Sequence, residues 1–371
     1  MNDLHGIIFA YRPAPALGDL TRHRNTCSLP FGGRYRMIDF LLSDMVNAGM
    51  TDVGLIVHAN YQSLLDHVGS GKDWDLSRKR GGLRILPPFG AAERAHGEYR
   101  GTMEALIGVS SYLKNIRQDY VVLARGDVAL NIDLADVFRR HLARGSDVTV
   151  VCTRRHSGDS SQCQYLRLDG GERVTDVSVN PAHTPDQPES LEMYILSRKL
   201  LLELVEDCAA HDVASFSSGA LLPRLARLRV DAYLFGGSVV RFHSVRDYFA
   251  RSMELLLPEV RRDLLSPERP IRTKDISDPS TYYGPSARSV NNLISDGCIV
   301  EGEVDNSILF RGAVVEKGAK VSHCVLLPDT HVCRDADVSR VITDVHVTIG
   351  AGRRLMGQDS YPIAIAPHTV V

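Results

Sequence analysis

Between residues 293 and 352 the chain reads LISDGCIVEGEVDNSILFRGAVVEKGAKVSHCVLLPDTHVCRDADVSRVITDVHVTIGAG, and its branched apolar residues return about every six positions. Val315, Val321 and Leu327 keep that step, and Val332 with Val338 repeats it. A six-residue return matches neither the 3.6-residue period of an amphipathic helix nor the two-residue alternation of a hairpin. It is the period of a left-handed parallel β-helix built from hexapeptide turns, with glycine and other small residues at the corners. Such a solenoid presents flat faces and an end, which favours assembly into oligomers.

The preceding residues follow a different grammar. Short β-rich runs alternate with helical patterns: GIIFA, MIDFLLSDMVNAGM, VGLIVHA, YQSLLDHV, TMEALIGVSSYLKNI, YVVLARGD, LADVFRRHLARG and DVTVVCT. Gly49 and Gly145 stand just past their helices, where carboxyl-terminal caps belong. This is the βαβ order of a doubly wound sheet. CQYLRL and RVTDVSVN read as a further strand pair, followed by the helix SRKLLLELVEDCAAH, the strand VDAYLF and a helix near VRDYFARSMELL. The fold class is therefore α/β plus all-β: a Rossmann-like domain over residues 1–257, a proline- and charge-rich linker over 258–285, and a β-helix domain over 286–371.

The 371 residues supply apolar surface for two cores. A formal net charge of −2 offers no broad attraction to nucleic acid or to an anionic membrane. No basic segment followed by an apolar run marks a leader, and no window approaches the roughly 20 apolar residues of a membrane span, so a cytoplasmic location is expected. Seven scattered cysteines form no CxxC pair, and the histidines show no HxxxH or HExxH spacing. No metal site is expected from spacing.

The first strand leads into a loop at the carboxyl end of a parallel sheet, where α/β proteins bind ligands. A phosphate-gripping loop would carry glycines there, yet this one carries Pro13 and Pro15. Proline has no N–H to offer a phosphate, and side chains at former glycines block close approach.

With LTRHRNTCSLPFGGRYRMIDFLLSDMVNAGM, GSGKDWDLSRKRGGLRILPPF, YRGTMEAL, GPSARSVNNLISDGCIVEGEVDNSILFRGAVV and the hexapeptide tail, the chain resembles the ADP-glucose pyrophosphorylase (glucose-1-phosphate adenylyltransferase) family over nearly its whole length. The resemblance implies a nucleotidyltransferase domain joined to a β-helix in a tetramer. Catalytic members join ATP to glucose 1-phosphate and release pyrophosphate. Their GGxGxRL turn and RAKP lysine match YRPAPALG and RNTCSLP here, so Arg24 keeps the family's arginine while Asn25 replaces its alanine, Thr26 its lysine and Cys27 its proline. Their paired carboxylates hold Mg²⁺, a hard ion suited to oxygen ligands. Asp127 matches one of the pair, and Arg241 stands where the other belongs. That cation would repel a divalent ion by an order of several kcal/mol at about 4 Å and an effective dielectric near 20. The sugar-phosphate lysine matches Asn180, before Pro181. Gly101 and Thr102 are kept from the GTADA-like element, with Glu104 at its aspartate.

Three losses in one site, at Thr26, Asn180 and Arg241, imply a GlgD-type regulatory subunit, inactive or very weak alone, that modulates a catalytic glucose-1-phosphate adenylyltransferase subunit in a hetero-oligomer or assembles as a homo-oligomer. No cofactor is expected for this chain, with Mg²⁺ belonging to the catalytic partner. The alternative is an active sugar-1-phosphate nucleotidyltransferase with a rearranged site, supported by Asp127, Gly101 and Thr102; a free-standing metabolite sensor is a weaker rival. Family effectors are small anions that bind near the subunit junction, so Arg24 and Arg36, with Arg22 and His23 beside them, are effector or phosphate candidates, against an interdomain salt bridge or solvated surface. Guanidinium groups suit phosphate because they donate in pairs. Trp74, beside Arg78, Lys79 and Arg80, reads as part of a loop folding over a neighbouring subunit.

Overall fold

The computed structural model describes residues 3–12, 14–88, 99–155, 163–179 and 187–371. Alternate residues of a strand face opposite sides of its sheet, and the opening strand Leu4–Ala10 is apolar on both. Leu4, Ile8 and Ala10 join one core with Ile38, Leu41 and Met45 from the helix Met37–Asn47. Ile7 and Phe9 join the other core with Met103, Leu106 and Leu113. The sheet is thus covered on both faces, as the continuous apolar run requires.

Leu4–Ala10, Asp52–Val57, Gly82–Leu86 and Tyr120–Arg125 lie parallel. Beyond them the sheet is mixed. Glu189–Ser197 runs antiparallel to both Tyr120–Arg125 and Val148–Thr153, and Gln164–Leu168 with Val174–Val179 extends the edge. The doubly wound expectation holds for the parallel half only. The helical stretch read over TMEALIGVSSYLKNI is two pieces, Thr102–Gly108 and Ser110–Lys114. Gly145 does cap its helix in the left-handed region, at φ 61°.

The carboxyl-terminal region is a left-handed parallel β-helix of three five-stranded parallel sheets. Val300, Val315, Val332 and Ile349 stack as one interior column, and Val304, Val321 and Val338 as another, all buried. The corners explain the small residues of the repeat. Gly297, Gly312 and Asp329 turn one corner and Gly318, Asp335 and Gly352 another, all at positive φ, where glycine, asparagine and aspartate are least strained. Its first strand is Tyr282–Tyr283, within the stretch read as linker, and Pro258–Leu264 of that stretch is a helix.

The connecting segment is held against the first domain. Asn131 donates to the carbonyls of Leu264 and Arg269, the Arg272 N–H donates to Ser43 Oγ, and Lys274 Nζ donates to Asp66 O at 2.7 Å. A third core joins the two domains. Leu17, Phe31, Met37 and Phe40 meet Phe242 and Tyr248, and Ile308, Phe310, Val325, Leu327 and Ile342 come from the solenoid. Among the described residues, no helix is long and apolar enough to cross a membrane. Cys27, Cys152, Cys163, Cys208, Cys298 and Cys324 are buried, and Cys333 is partly exposed.

Phe310 fills the seam at 2% exposure. Truncation of a buried phenylalanine removes transfer free energy and leaves a cavity, so Phe310→Ala is expected to lower unfolding free energy by about 3–5 kcal/mol in a urea titration. A loss under about 1 kcal/mol would mean that the two domains do not share this core.

Candidate functional site

The parallel strands end together, with Ala10 opposite Val57 and Phe9 opposite Arg125. A cavity of about 460 Å³ opens there, lined by Tyr11, Arg12, Tyr99, Gly101, Arg125 and Glu192 among others. Its floor is a network of buried charges. Arg125 forks onto Asp127, with Nε to Oδ1 at 2.9 Å and Nη2 to Oδ2 at 2.5 Å, and gives Nη1 to Glu192 Oε1 at 2.5 Å. Arg12 Nη1 donates to the same Glu192 oxygen at 3.0 Å. Arg241 donates to Glu189 Oε1 at 3.2 Å and to Leu191 O at 3.3 Å.

Local structure sets each position. Gly126 brings the chain close beneath the sheet, where an added Cβ would lie 2.8 Å from Ile38 and 2.9 Å from Ile8. Asp127 follows, and the short strand Val128–Ala129 pairs with Val240–Arg241, which sets Arg241 opposite Val128. Glu189 and Glu192 come from one strand whose register shifts between Ser190 and Met193; Glu192 sits there at φ 52°, a costly conformation for a non-glycine residue. Burial alone pushes the Asp127 carboxyl up, but Arg125 outweighs it and, with Arg241 and Arg12, holds it far below its ordinary range. Glu192 is lowered against its own burial by Arg125, then by Arg12.

One expectation is corrected here. Arg241 is not an uncompensated cation, because Glu189 balances it; the group that occupies Asp127 is Arg125, which sequence reading did not single out. Although Thr26 stands where the resemblance implies a lysine, Arg12, Arg100 and Arg125 line the cleft. Each is tied to carboxylates, Arg100 to Glu104 and Asp212. Arg12, Arg125, Glu189 and Glu192 were missed together. The arginine two residues before Asp127 at a strand end was the one available signal.

The loop after the first strand, where the resemblance implies a phosphate-binding turn, contributes to the core. Pro15–Thr21 forms a short 3-10 turn that buries Leu17 and Leu20 in the domain seam. Asn25 ties the next turn to the sheet, accepting from Ser28 N at 3.1 Å and donating to Ala10 O at 3.0 Å. Thr26 is buried in that turn. Gly101 and Thr102 have a structural reason to be kept. A Cβ at Gly101 would sit 2.5 Å from Ala214 O, and Thr102 Oγ1 accepts from Phe216 N. Pro13 and Asn180 lie outside the described residues.

A second cavity, of about 270 Å³, lies at the domain seam and is lined by Arg24, Arg34, Arg36, Lys274 and Arg311 with Ser28 and others. Arg24 Nη2 crosses between domains to Asp344 Oδ1 at 2.6 Å, while its buried Nη1 has no hydrogen-bond partner. Arg36 Nη1 donates to Ser63 O at 2.7 Å and Ser63 Oγ at 2.8 Å. Burial, then the neighbouring Arg24, pulls Arg36 down to about 10. The structure thus brings Arg24 and Arg36 together and leaves Arg22 and His23 exposed outside this lining. The Trp74 indole itself is fully buried in the first domain, edge-on to His67.

Residues 14–236 match the nucleotidyl transferase family and residues 281–361 the GlmU-like C-terminal hexapeptide family. Among curated relatives, the glycogen biosynthesis protein GlgD of Bacillus subtilis (strain 168) is 32% identical, covering 98% of this chain and 96% of its own. GlgD of Geobacillus stearothermophilus is 34% identical over 86% of this chain and 83% of its own. The glucose-1-phosphate adenylyltransferase of Pseudothermotoga lettingae is 30% identical over 86% of this chain and 77% of its own.

Asp127 and Glu192 have lowered carboxyl pKa values in the folded state, so their pairing contributes stability above the ordinary carboxylate range that is lost as pH falls through the lowered values. Arg125→Gln leaves both charges buried with weakened compensation. It is expected to cost about 3–5 kcal/mol at neutral pH, and the deficit should shrink below roughly pH 4, where the unpaired carboxyls protonate. Urea titrations across pH measure it; a deficit unchanged by acid would contradict the pairing.

Proposed function

We propose a noncatalytic, regulatory role for this chain, which belongs to the ADP-glucose pyrophosphorylase (glucose-1-phosphate adenylyltransferase) family, GlgD type. It acts in glycogen biosynthesis as the partner of a catalytic glucose-1-phosphate adenylyltransferase subunit, changing that subunit's turnover or effector response. The observation that carries this reading is the pairing of Asp127, Glu189 and Glu192 with Arg12, Arg125 and Arg241.

Adenylyl transfer needs charge on the reacting phosphorus spread over cations and amides, with the attacking and leaving oxygens in line. A metal ion that bridges the phosphates needs carboxylate oxygens free to ligate it. In this cleft the carboxylates already neutralise arginines, and the glycine turn has become a packed 3-10 segment. Catalytic Mg²⁺ belongs to the partner subunit on this reading.

The seam pocket supports the regulatory half. Two close guanidinium groups, one with a buried unpartnered N–H, favour a small phosphate-bearing effector that would relieve their repulsion. Because Arg24 already reaches Asp344 on the solenoid, such an anion would bias how the two domains sit, and a shift of that equilibrium is a physical route to altered partner activity.

Mixing purified catalytic subunit with this chain should change its rate or its effector curve; identical curves with and without the chain contradict the proposal. Sustained pyrophosphate release by the chain alone, from ATP, Mg²⁺ and glucose 1-phosphate, would favour the rearranged-enzyme alternative. Arg36→Ala should weaken inorganic phosphate binding by roughly ten-fold or more in calorimetry, in line with about 1.5–3 kcal/mol for a charge-assisted hydrogen bond. Equal binding would remove the effector assignment and leave the first test standing.

A further inference from the structure

The coils of the solenoid turn residues distant in sequence into vertical neighbours. Along its strands, residues alternate between the interior and the outer face, so Val315 and Val332 point inward while Val314, Glu316, His331 and Cys333 belong to the outer positions. Hydrogen bonds between coils fix the columns. The Glu316 N–H donates to Val332 O at 2.9 Å and the Cys333 N–H to Ile349 O at 2.9 Å, which stacks Glu316 over Cys333 in consecutive coils. His331 stands two residues before Cys333 on the same strand and faces the same side. Its Nε2 lies 2.9 Å from Glu316 Oε1.

A carboxylate oxygen, an imidazole nitrogen and a thiol sulfur therefore converge, with all three atoms within 4.8 Å of one another. A His–Glu contact alone is an ordinary surface pair. The added sulfur changes its meaning, because Cys333 is the one cysteine of seven that is not fully buried. We propose that Glu316, His331 and Cys333 form a zinc-binding site that clips two consecutive coils of the β-helix.

The donor set selects the ion. Thiolate with imidazole favours zinc over magnesium or calcium, and carboxylate completes a three-ligand set with water in the fourth tetrahedral position. Zinc needs bonds of about 2.0–2.3 Å, which small rotations of these half-exposed side chains can reach. The Arg334 N–H donates to Glu316 Oε2 at 2.7 Å and leaves Oε1 turned toward His331 and Cys333. Orientation of a ligating carboxylate by a second hydrogen bond is a general support for metal sites. The site borders an open groove of about 650 Å³ where Glu301, Glu303, Glu316 and Asp335 outweigh Lys317 and Arg334. Cations have a solvent route to it.

The site lies on the sheet that contains Val314–Val315 and His331–Val332, whereas the solenoid residues packed on the first domain come from the Ile308–Leu309, Val325–Leu326 and Val341–Thr343 sheet and the residues just beyond its strands. Zinc would thus stiffen the outer side of the solenoid without contacting the cleft or the seam pocket. Binding releases the thiol proton of Cys333 to solvent and involves no redox change.

Titration of the full-length, metal-free protein with Co²⁺, a spectroscopic stand-in for zinc, tests the assignment. One equivalent per chain should bind with a near-ultraviolet thiolate-to-cobalt charge-transfer band. Cys333→Ser should abolish the band, His331→Ala should weaken binding by at least about ten-fold, and Zn²⁺ should slow thiol labelling of the native protein by a disulfide reagent. Far-ultraviolet circular dichroism of both variants establishes that the solenoid is intact. A wild-type titration without the charge-transfer band, or one that Cys333→Ser leaves unchanged, overturns the site.

Discussion

The fork between Arg125 and Asp127 sets the character of the whole cleft. A carboxylate at the end of a parallel strand is well placed to ligate a metal, but one that accepts two charge-assisted bonds from a buried guanidinium has its lone pairs spent. Glu192 is shared between Arg125 and Arg12, and Glu189 serves Arg241. The result is a polar floor without free charge of either sign. Buried ion pairs of this kind contribute little net stability compared with apolar packing, because desolvation offsets attraction. Their consequence is electrostatic: each of these carboxylates and arginines has an opposite charge within salt-bridge distance.

The loop that follows the first strand supplies structure elsewhere. Leu17 and Leu20 of that loop pack in the seam with Phe31, Phe310 and Ile342, so the first domain and the solenoid share one apolar core. Arg24 and Asp344 add a buried ionic link across it. Relative motion of the domains would therefore have to repack this shared core. The adjacent pocket is lined by both Arg24 and Arg36.

Much of this was legible in the residues. The six-step return of Val315, Val321 and Leu327 identifies the solenoid because interior stacking demands it, and Ile7 with Ile8 marks a strand buried on both faces. Family resemblance located Asp127 and Arg241, and pairing of Val128–Ala129 with Val240–Arg241 does bring those positions together. The antiparallel strand Glu189–Ser197 escaped, since Glu189 and Glu192 break its apolar pattern, and those are the residues that neutralise the cleft. Their role follows from a register shift and a positive φ, which only three-dimensional pairing reveals. Trp74 was misplaced because its charged neighbours suggested surface, while its own indole is core. The convergence of Glu316, His331 and Cys333 was hidden for a related reason: sequence motifs record spacing along one chain segment, and a solenoid coil creates neighbours across it.

The most direct measurement of the central claim is a calorimetric titration of the isolated chain with ATP and Mg²⁺. A cleft whose carboxylates and arginines are mutually committed predicts little or no heat at millimolar nucleotide. Saturable binding with a stoichiometry of one nucleotide per chain, lost when Asp127 is replaced by Asn, would contradict it.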